Sequence, residues 1–208
     1  MMSFTQADLE IFQIPTFQER MGAIRSQIRP KLEAFGSSIA PLLKQKFKRD
    51  FFAHTAKHMR RKVNPPDETW VALGPMQRGY KAYIFFSLCI GKQGVQARVV
   101  MKDESHDRAL FGQNLMANLD YFKKQESVFK KIQQYLKRDS SYQPEKISLL
   151  SSYLKESAHR LQTLKGAMFD MGFELNPYSK KLELDFLKAT EMLYPIFLCG
   201  LEKGVKLR

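Results

Sequence analysis

Apolar positions recur along this 208-residue chain with two different periods, and the change of period marks its organisation. From Phe17, the residues Met21, Ile24, Ile28, Leu32 and Phe35 follow at steps of three and four, the spacing that lines one face of an α-helix. Thr5 can cap a short helix ahead of it that carries Leu9, Ile11 and Phe12. Pro30 removes one backbone donor, so the pattern predicts a kink or two abutting helices there, with Gly36 as the stop. Ser38 then caps a helix that has Pro41 in its first turn and Leu42, Leu43 and Phe47 inward. Asp50 caps another over residues 51–61. On that helix Phe52, Thr55, Ala56 and Met59 would gather on one side, and His54, Lys57, His58 and Arg61 within about a 100° arc on the other.

Beyond Asn64-Pro65-Pro66, which cannot continue a helix, the period drops to two. Thr69 to Leu73 reads as a strand with Trp70 in the core, and Tyr80 to Ile90 as a strand covered on both faces. Gly91-Lys92-Gln93-Gly94 is a hairpin signal. Val95, Ala97, Val99 and Met101 then alternate with Gln96, Arg98, Val100 and Lys102, the pattern of a half-buried partner strand. Residues 105–138 read as helix in two pieces near Asn118, with Phe122, Phe129, Ile132 and Leu136 inward and Lys123, Lys130 and Lys137 in a basic stripe. A loop over 139–144, a helix over 147–165, a strand over 167–175 and a closing helix from Leu182, broken at Pro195, complete the chain. Strands grouped between helices, rather than alternating with them, predict an α+β fold: one domain over residues 1–208, an antiparallel sheet with helices mainly on one face.

Composition narrows the class. A hydrophobic content of 44% supplies a sizeable core and excludes a disordered chain. Cys89 and Cys199 each lie in an apolar run, as buried thiols of a reducing compartment would. Asp8, Glu10 and Glu19 interrupt the first 20 residues, and no apolar run approaches the ~20 residues of a membrane span. The expectation is a soluble cytoplasmic protein with no membrane partner. The net charge is +13, and eight bases against Asp50 alone between Lys44 and Lys62 put +7 of it in one short segment.

That segment holds the candidate chemistry. His54 and His58 at i and i+4 have the spacing of a helical metal pair, but the glutamate of a zinc-protease helix is missing and Lys57 and Arg61 would repel a cation. No metal and no cofactor is therefore expected. Imidazoles with Lys57, Arg61 and Asn64 suit an anion, since they bring charge and fork-shaped donors to phosphate or carboxylate. The partner class this implies is a phosphate-bearing ligand or nucleic acid. Two other readings stand beside it: an enzyme of unknown class using His54 or His58 as acid–base group, and an interaction protein in which the motif only locks helix to sheet. No phosphate loop, dinucleotide fingerprint or nucleophile elbow occurs.

The stretch also carries a resemblance. Arg29-Pro30-Lys31-Leu32, Gly36 and Pro41, then His54, Ala56-Lys57-His58, Arg60-Arg61, Val63-Asn64-Pro65-Pro66, Thr69-Trp70-Val71-Ala72 and Arg78-Gly79-Tyr80-Lys81 resemble the signature of the YktB-like family. These are uncharacterised proteins of about this length from Gram-positive bacteria. Arg160-Leu161-Gln162-Thr163-Leu164-Lys165 is similar to a late segment of the same family. The resemblance implies a two-layer α+β fold, loosely of the TATA-binding-protein-like group, and no assigned activity. The chain departs from it at Ala82-Tyr83-Ile84, where a proline is expected, and at 139–144, where a histidine-containing loop is expected.

Overall fold

The computed structural model describes residues 3–59, 61–138 and 141–207. Thr5 begins the first helix, α1 (Gln6–Glu10), through a reciprocal cap in which Thr5 and Asp8 satisfy each other's backbone N–H. A 3-10 turn at Ile11–Gln13 leads to α2 (Phe17–Ala23). The chain then widens into a π-turn at Ile24–Ile28 before α3 (Arg29–Phe47). Pro30 thus lies in the first turn of a helix, and the wide turn ahead of it accommodates a ring that would otherwise strike a carbonyl.

Gly36 is not the stop the sequence suggests, because α3 runs through it and through Pro41. Its role is close approach: a Cβ there would stand 2.8 Å from the Cβ of Ala53 and 2.9 Å from Cγ2 of Val71, so glycine lets the helix lie directly on the sheet. Ser38 accordingly caps nothing, and its hydroxyl bonds to the Phe35 carbonyl and to Glu183.

The predicted helix over 51–61 is absent. Phe52–Thr55 is a strand, β1, paired antiparallel with β2 (Glu68–Gly74), and the Ala56 N–H extends the pairing to the Trp70 carbonyl. A helix there would leave the edge of β2 without a backbone partner. The edge of β2 instead offers four registered partners, from Phe52↔Gly74 to Thr55↔Val71. The hairpin is as expected: β3 (Phe85–Gly91) and β4 (Gly94–Met101) close at Gly91↔Gly94. However, β4 is buried on both faces rather than one.

Helix α4 (Arg108–Ala117) and α5 (Leu119–Lys124) divide near Asn118 as predicted, but helix does not continue to residue 138. Turns lead to β5 (Gln133–Arg138) and β6 (Ser141–Lys146), so the lysine stripe does not exist as a helix face and part of the expected loop is strand. Residues 139 and 140 of that loop lie outside the described residues. Helix α6 (Leu150–Thr163), strand β7 (Phe169–Leu175) and helix α7 (Leu182–Cys199) follow where the periodicity placed them, with α7 unbroken at Pro195.

The sheet has the order β1-β2-β3-β4-β7-β5-β6, and every neighbouring pair is antiparallel. One face carries Val71, Leu73, Phe86, Leu88, Val99 and Met171 among others, in a single core with the inward residues of α2 to α7. Helices therefore cover one face of the sheet, an α+β sandwich of two layers. Cys89 and Cys199 are buried free thiols, and burial holds both up to about 12.

Candidate functional site

The helix-free face is assembled from the alternate residues of the central strands. Near the β3–β4 turn these are buried Cys89, Gln96 and Arg98 with the half-buried Glu68, and buried Asp170 lies across on β7. Arg98 is 1% exposed and bridges Glu68 at 2.8 Å, Gln96 at 2.8 Å and Asp170 at 3.6 Å. Its guanidinium also lies 3.7 Å from the Tyr135 ring centroid, so the β5–β6 hairpin folds over this half of the face. Burial pushes the Asp170 carboxyl up to about 6, with the Arg98 charge pulling it the other way.

The other half of the face is open. Trp70, Ala72, Phe85, Val100 and Tyr80 form a small second cluster there, and above it lies a groove of about 860 Å³. Trp70 is half-buried in the wall of this groove rather than in the core. Gly79, in the left-handed conformation at φ 66°, turns the chain into a 3-10 turn at Tyr80–Ala82 and brings Tyr80 back over β1. His54 stacks on Tyr80 with ring centroids 5.0 Å apart and planes 17° from parallel. The His54 Nε2 lies 2.9 Å from the Met76 carbonyl, which can only accept, so Nε2 is the donor.

His58 reaches the groove differently. Its backbone is left-handed at φ 51°, an uncommon state for a residue with a Cβ, and this reverses the chain after β1. Its Nε2 pairs with the Thr69 hydroxyl at 3.0 Å, and its ring meets Trp70 edge-on at 5.4 Å. Burial first, then the charges of Arg61, Arg29 and Lys81, hold the His58 imidazole down to about 4. It is therefore neutral near pH 7 and sits in a positive field.

His54, Lys57, His58 and Arg61 thus line one groove together with Trp70, Tyr80 and Lys81, although a strand and a turn, not a helix, bring them there. Asn64 is exposed and is not in the lining; only its carbonyl takes part, accepting from Arg61 at 3.4 Å. Three acids also border the groove, and each already has cations. Asp67 is held by Arg20 and Lys92, Glu68 by Arg98, and Glu104 faces Lys81 at 3.9 Å. Lys57 makes no ion pair among the described residues, and Arg61 has only two long bonds to carbonyls, at 3.4 and 3.5 Å. The other early bases turn away: Lys44, Lys46 and Arg49 pair with Asp50, Glu191 and Glu202 around the helix layer. The local +7 is thereby divided between the two layers.

The sequence weighs Trp70 between pocket wall and core and favours the core, and it singles out neither Tyr80 and Lys81 as wall residues nor the Arg98 cluster. Trp70 and Tyr80-Lys81 stand inside the quoted family motif, which was the available signal. Arg98 alternates like a solvent-facing strand residue and gave none.

The second half of the motif is a strap. Arg20, 3% exposed, donates from Nε to the Ile14 carbonyl at 2.6 Å and from one terminal nitrogen to Pro66 and Asp67 at 3.1 and 3.2 Å. The Lys92 N–H also bonds the Asp67 carbonyl. This fixes the entry to β2, and with it Glu68 and Trp70. Among the described residues no helix is long and apolar enough to cross a membrane, and no cluster of three metal-ligating side chains occurs.

A family model described as a domain of unknown function (DUF1054) matches residues 4–194. A UPF0637 protein of Staphylococcus carnosus is 31% identical over 183 residues, 88% of this chain and 89% of that protein. UPF0637 proteins of Bacillus mycoides and Bacillus thuringiensis are 47% and 45% identical over 97 residues, so in these the matched stretch is 46% of the relative's length. The resemblance read from the His54–Trp70 stretch points the same way. The chain belongs to the DUF1054 family, whose function is unknown.

Proposed function

We propose that the groove is a binding site for a phosphate-bearing ligand, in a protein that acts in the cytoplasm. One observation supports the reading: Lys57 and Arg61 converge on a concave aromatic site with no carboxylate among the described residues to neutralise either, while the acids beside them are already paired. Cations left unpaired at a concave surface attract an anion, and guanidinium matches phosphate with two parallel bonds. His54 and His58 supply polar contacts, and the rings of Trp70 and Tyr80 an apolar wall. An acid–base role for either histidine has less support. Among the described residues neither imidazole is oriented by a carboxylate, and His58 uses Nε2 on Thr69.

Trp70 is the only tryptophan, so its fluorescence reports from inside the groove. Titration with inorganic phosphate should give a saturable change that Lys57→Ala and Arg61→Ala each weaken about tenfold, the worth of one charge-assisted hydrogen bond. A non-saturating response, or one indifferent to both substitutions, overturns the reading. A parallel titration with a single-stranded oligonucleotide tests the nucleic-acid version. That version requires affinity that falls steeply with salt.

A further inference from the structure

A phosphate fills only a small part of a groove of about 860 Å³, a volume in the range of sites that enclose whole small molecules. Much of the remaining lining is aromatic. His54 stacks on Tyr80 at 5.0 Å, Tyr80 accepts a hydrogen bond from Trp70 Nε1 at 3.3 Å, and His58 meets Trp70 edge-on at 5.4 Å. The four rings form one connected wall. Three of its ring nitrogens are engaged within the protein: Trp70 Nε1 on Tyr80, His54 Nε2 on the Met76 carbonyl and His58 Nε2 on Thr69. What the wall offers a ligand is therefore mainly ring surface. Trp70 and Tyr80 are only half-buried, and Met59, in the same lining, is 81% exposed. A flat ring laid on such a wall gains by stacking and removes this apolar surface from water.

The pairing of β1 sets the order along the groove. His54 lies opposite Ala72, and the Ala56 N–H bonds the Trp70 carbonyl. The wall thus runs along β1 from Tyr80 towards Trp70, and Lys57, His58 and Arg61 follow at the far end. At the Tyr80 end the lining also holds Lys81 and Glu104, 3.9 Å apart, which bring a cation and an acceptor to the edge of a bound ring. A heterocycle has edge groups that use both. We infer that the groove takes a phosphate ester carrying a planar heteroaromatic ring, of the nucleoside monophosphate class. The ring lies against Tyr80 and Trp70, and the phosphate on Lys57 and Arg61. The inference rests on the phosphate-binding reading above and deepens it by naming what the phosphate is attached to.

Adenosine monophosphate, ribose 5-phosphate and adenosine, each titrated into the full chain by calorimetry, test it. The wild type should bind adenosine monophosphate about tenfold more tightly than ribose 5-phosphate, the worth of one base stacked on an aromatic side chain. Tyr80→Leu should remove that advantage and leave ribose 5-phosphate binding unchanged, whereas Tyr80→Phe, which keeps the ring, should retain it. Lys57→Ala should weaken both phosphates equally and leave adenosine unaffected. The wild-type comparison needs no variant, so it decides even if Tyr80→Leu fails to fold. Equal binding of adenosine monophosphate and ribose 5-phosphate by the wild type, both sensitive to Lys57→Ala, overturns the inference and leaves the phosphate site standing. A single-stranded oligonucleotide that binds far more tightly than adenosine monophosphate, with a steep salt dependence, also overturns it. Should neither of the two phosphates nor inorganic phosphate bind, both readings fall together.

Discussion

A Cβ placed on Gly36 of α3 would lie 2.8 Å from the Cβ of Ala53 on β1, closer than two such carbons pack. The helix backbone rests here on the short Ala53 and Val71 side chains, with none of its own between. Since β1 carries His54 and leads to Lys57 and His58, this contact fixes the height of one wall of the groove.

Gly36→Ala therefore tests the contact. Helix propensity alone favours alanine by about 1 kcal/mol, whereas overpacking costs about 1–3 kcal/mol where neighbours cannot yield. Ala53 and Val71 are short side chains on a sheet, so the substitution should destabilise. Gly22→Ala on α2, where nothing lies within 4 Å, should stabilise instead. Urea denaturation of the two variants gives opposite signs if the contact acts as described.

Arg98→Met should be among the most damaging single changes. It strands Glu68 and Asp170 beneath the β5–β6 hairpin without their cation, and breaking a buried ion pair from one side costs about 3–5 kcal/mol. Adding Glu68→Gln should recover part of the loss, because one of the stranded charges is then gone. A double-mutant cycle in urea measures the coupling.

Two buried groups give stability opposite pH dependences. His58 ordinarily titrates at 6.5 and is held at about 4 when folded, so between these values the unfolded chain binds more protons and stability rises with pH. Asp170 ordinarily titrates at 3.8 and is held at about 6, so there the folded chain binds more protons and stability falls as pH rises. The two trends oppose each other from about pH 4 to 6. Asp170→Asn should therefore tilt the profile upward with pH, and His58→Gln should tilt it downward. Unfolding midpoints measured across that window read the slopes directly.

Arg20→Met removes two bonds that strap the chain ahead of β2, at Pro66 and Asp67, and a third to the Ile14 carbonyl. Bonds from a charged donor are worth about 1.5–3 kcal/mol each, and the partners regain some of this from water. A lowered melting temperature should be accompanied by faster proteolysis near Asn64, the exposed part of the strap.

Where local pattern and tertiary demand agreed, the elements were legible. Thr5 caps its helix, α6 and β7 follow their periods, and Gly91–Gly94 closes the hairpin. Elsewhere residues serve two structures equally well. The apolar spacing of Phe52, Thr55 and Ala56 fits a helix, yet an open strand edge on β2 claimed these residues. Phe129 and Ile132 fit a helical stripe, yet they lead into β5 and join the core from turns.

By itself, the sequence determined the fold class, the hairpin, the grouping of strands between helices, and the stretch in which the candidate site lies. These depend on periodicity, turn chemistry and composition, which act over a few residues. Only the tertiary structure decided that His54, Lys57, His58 and Arg61 meet on a strand and a left-handed turn, that Trp70 and Tyr80 wall the groove, and that Arg98 is buried. The physical reason is pairing at a distance. Which carboxylate neutralises which base, and which stays without one, depends on residues such as Asp67, Glu68 and Glu202 that only folding brings near.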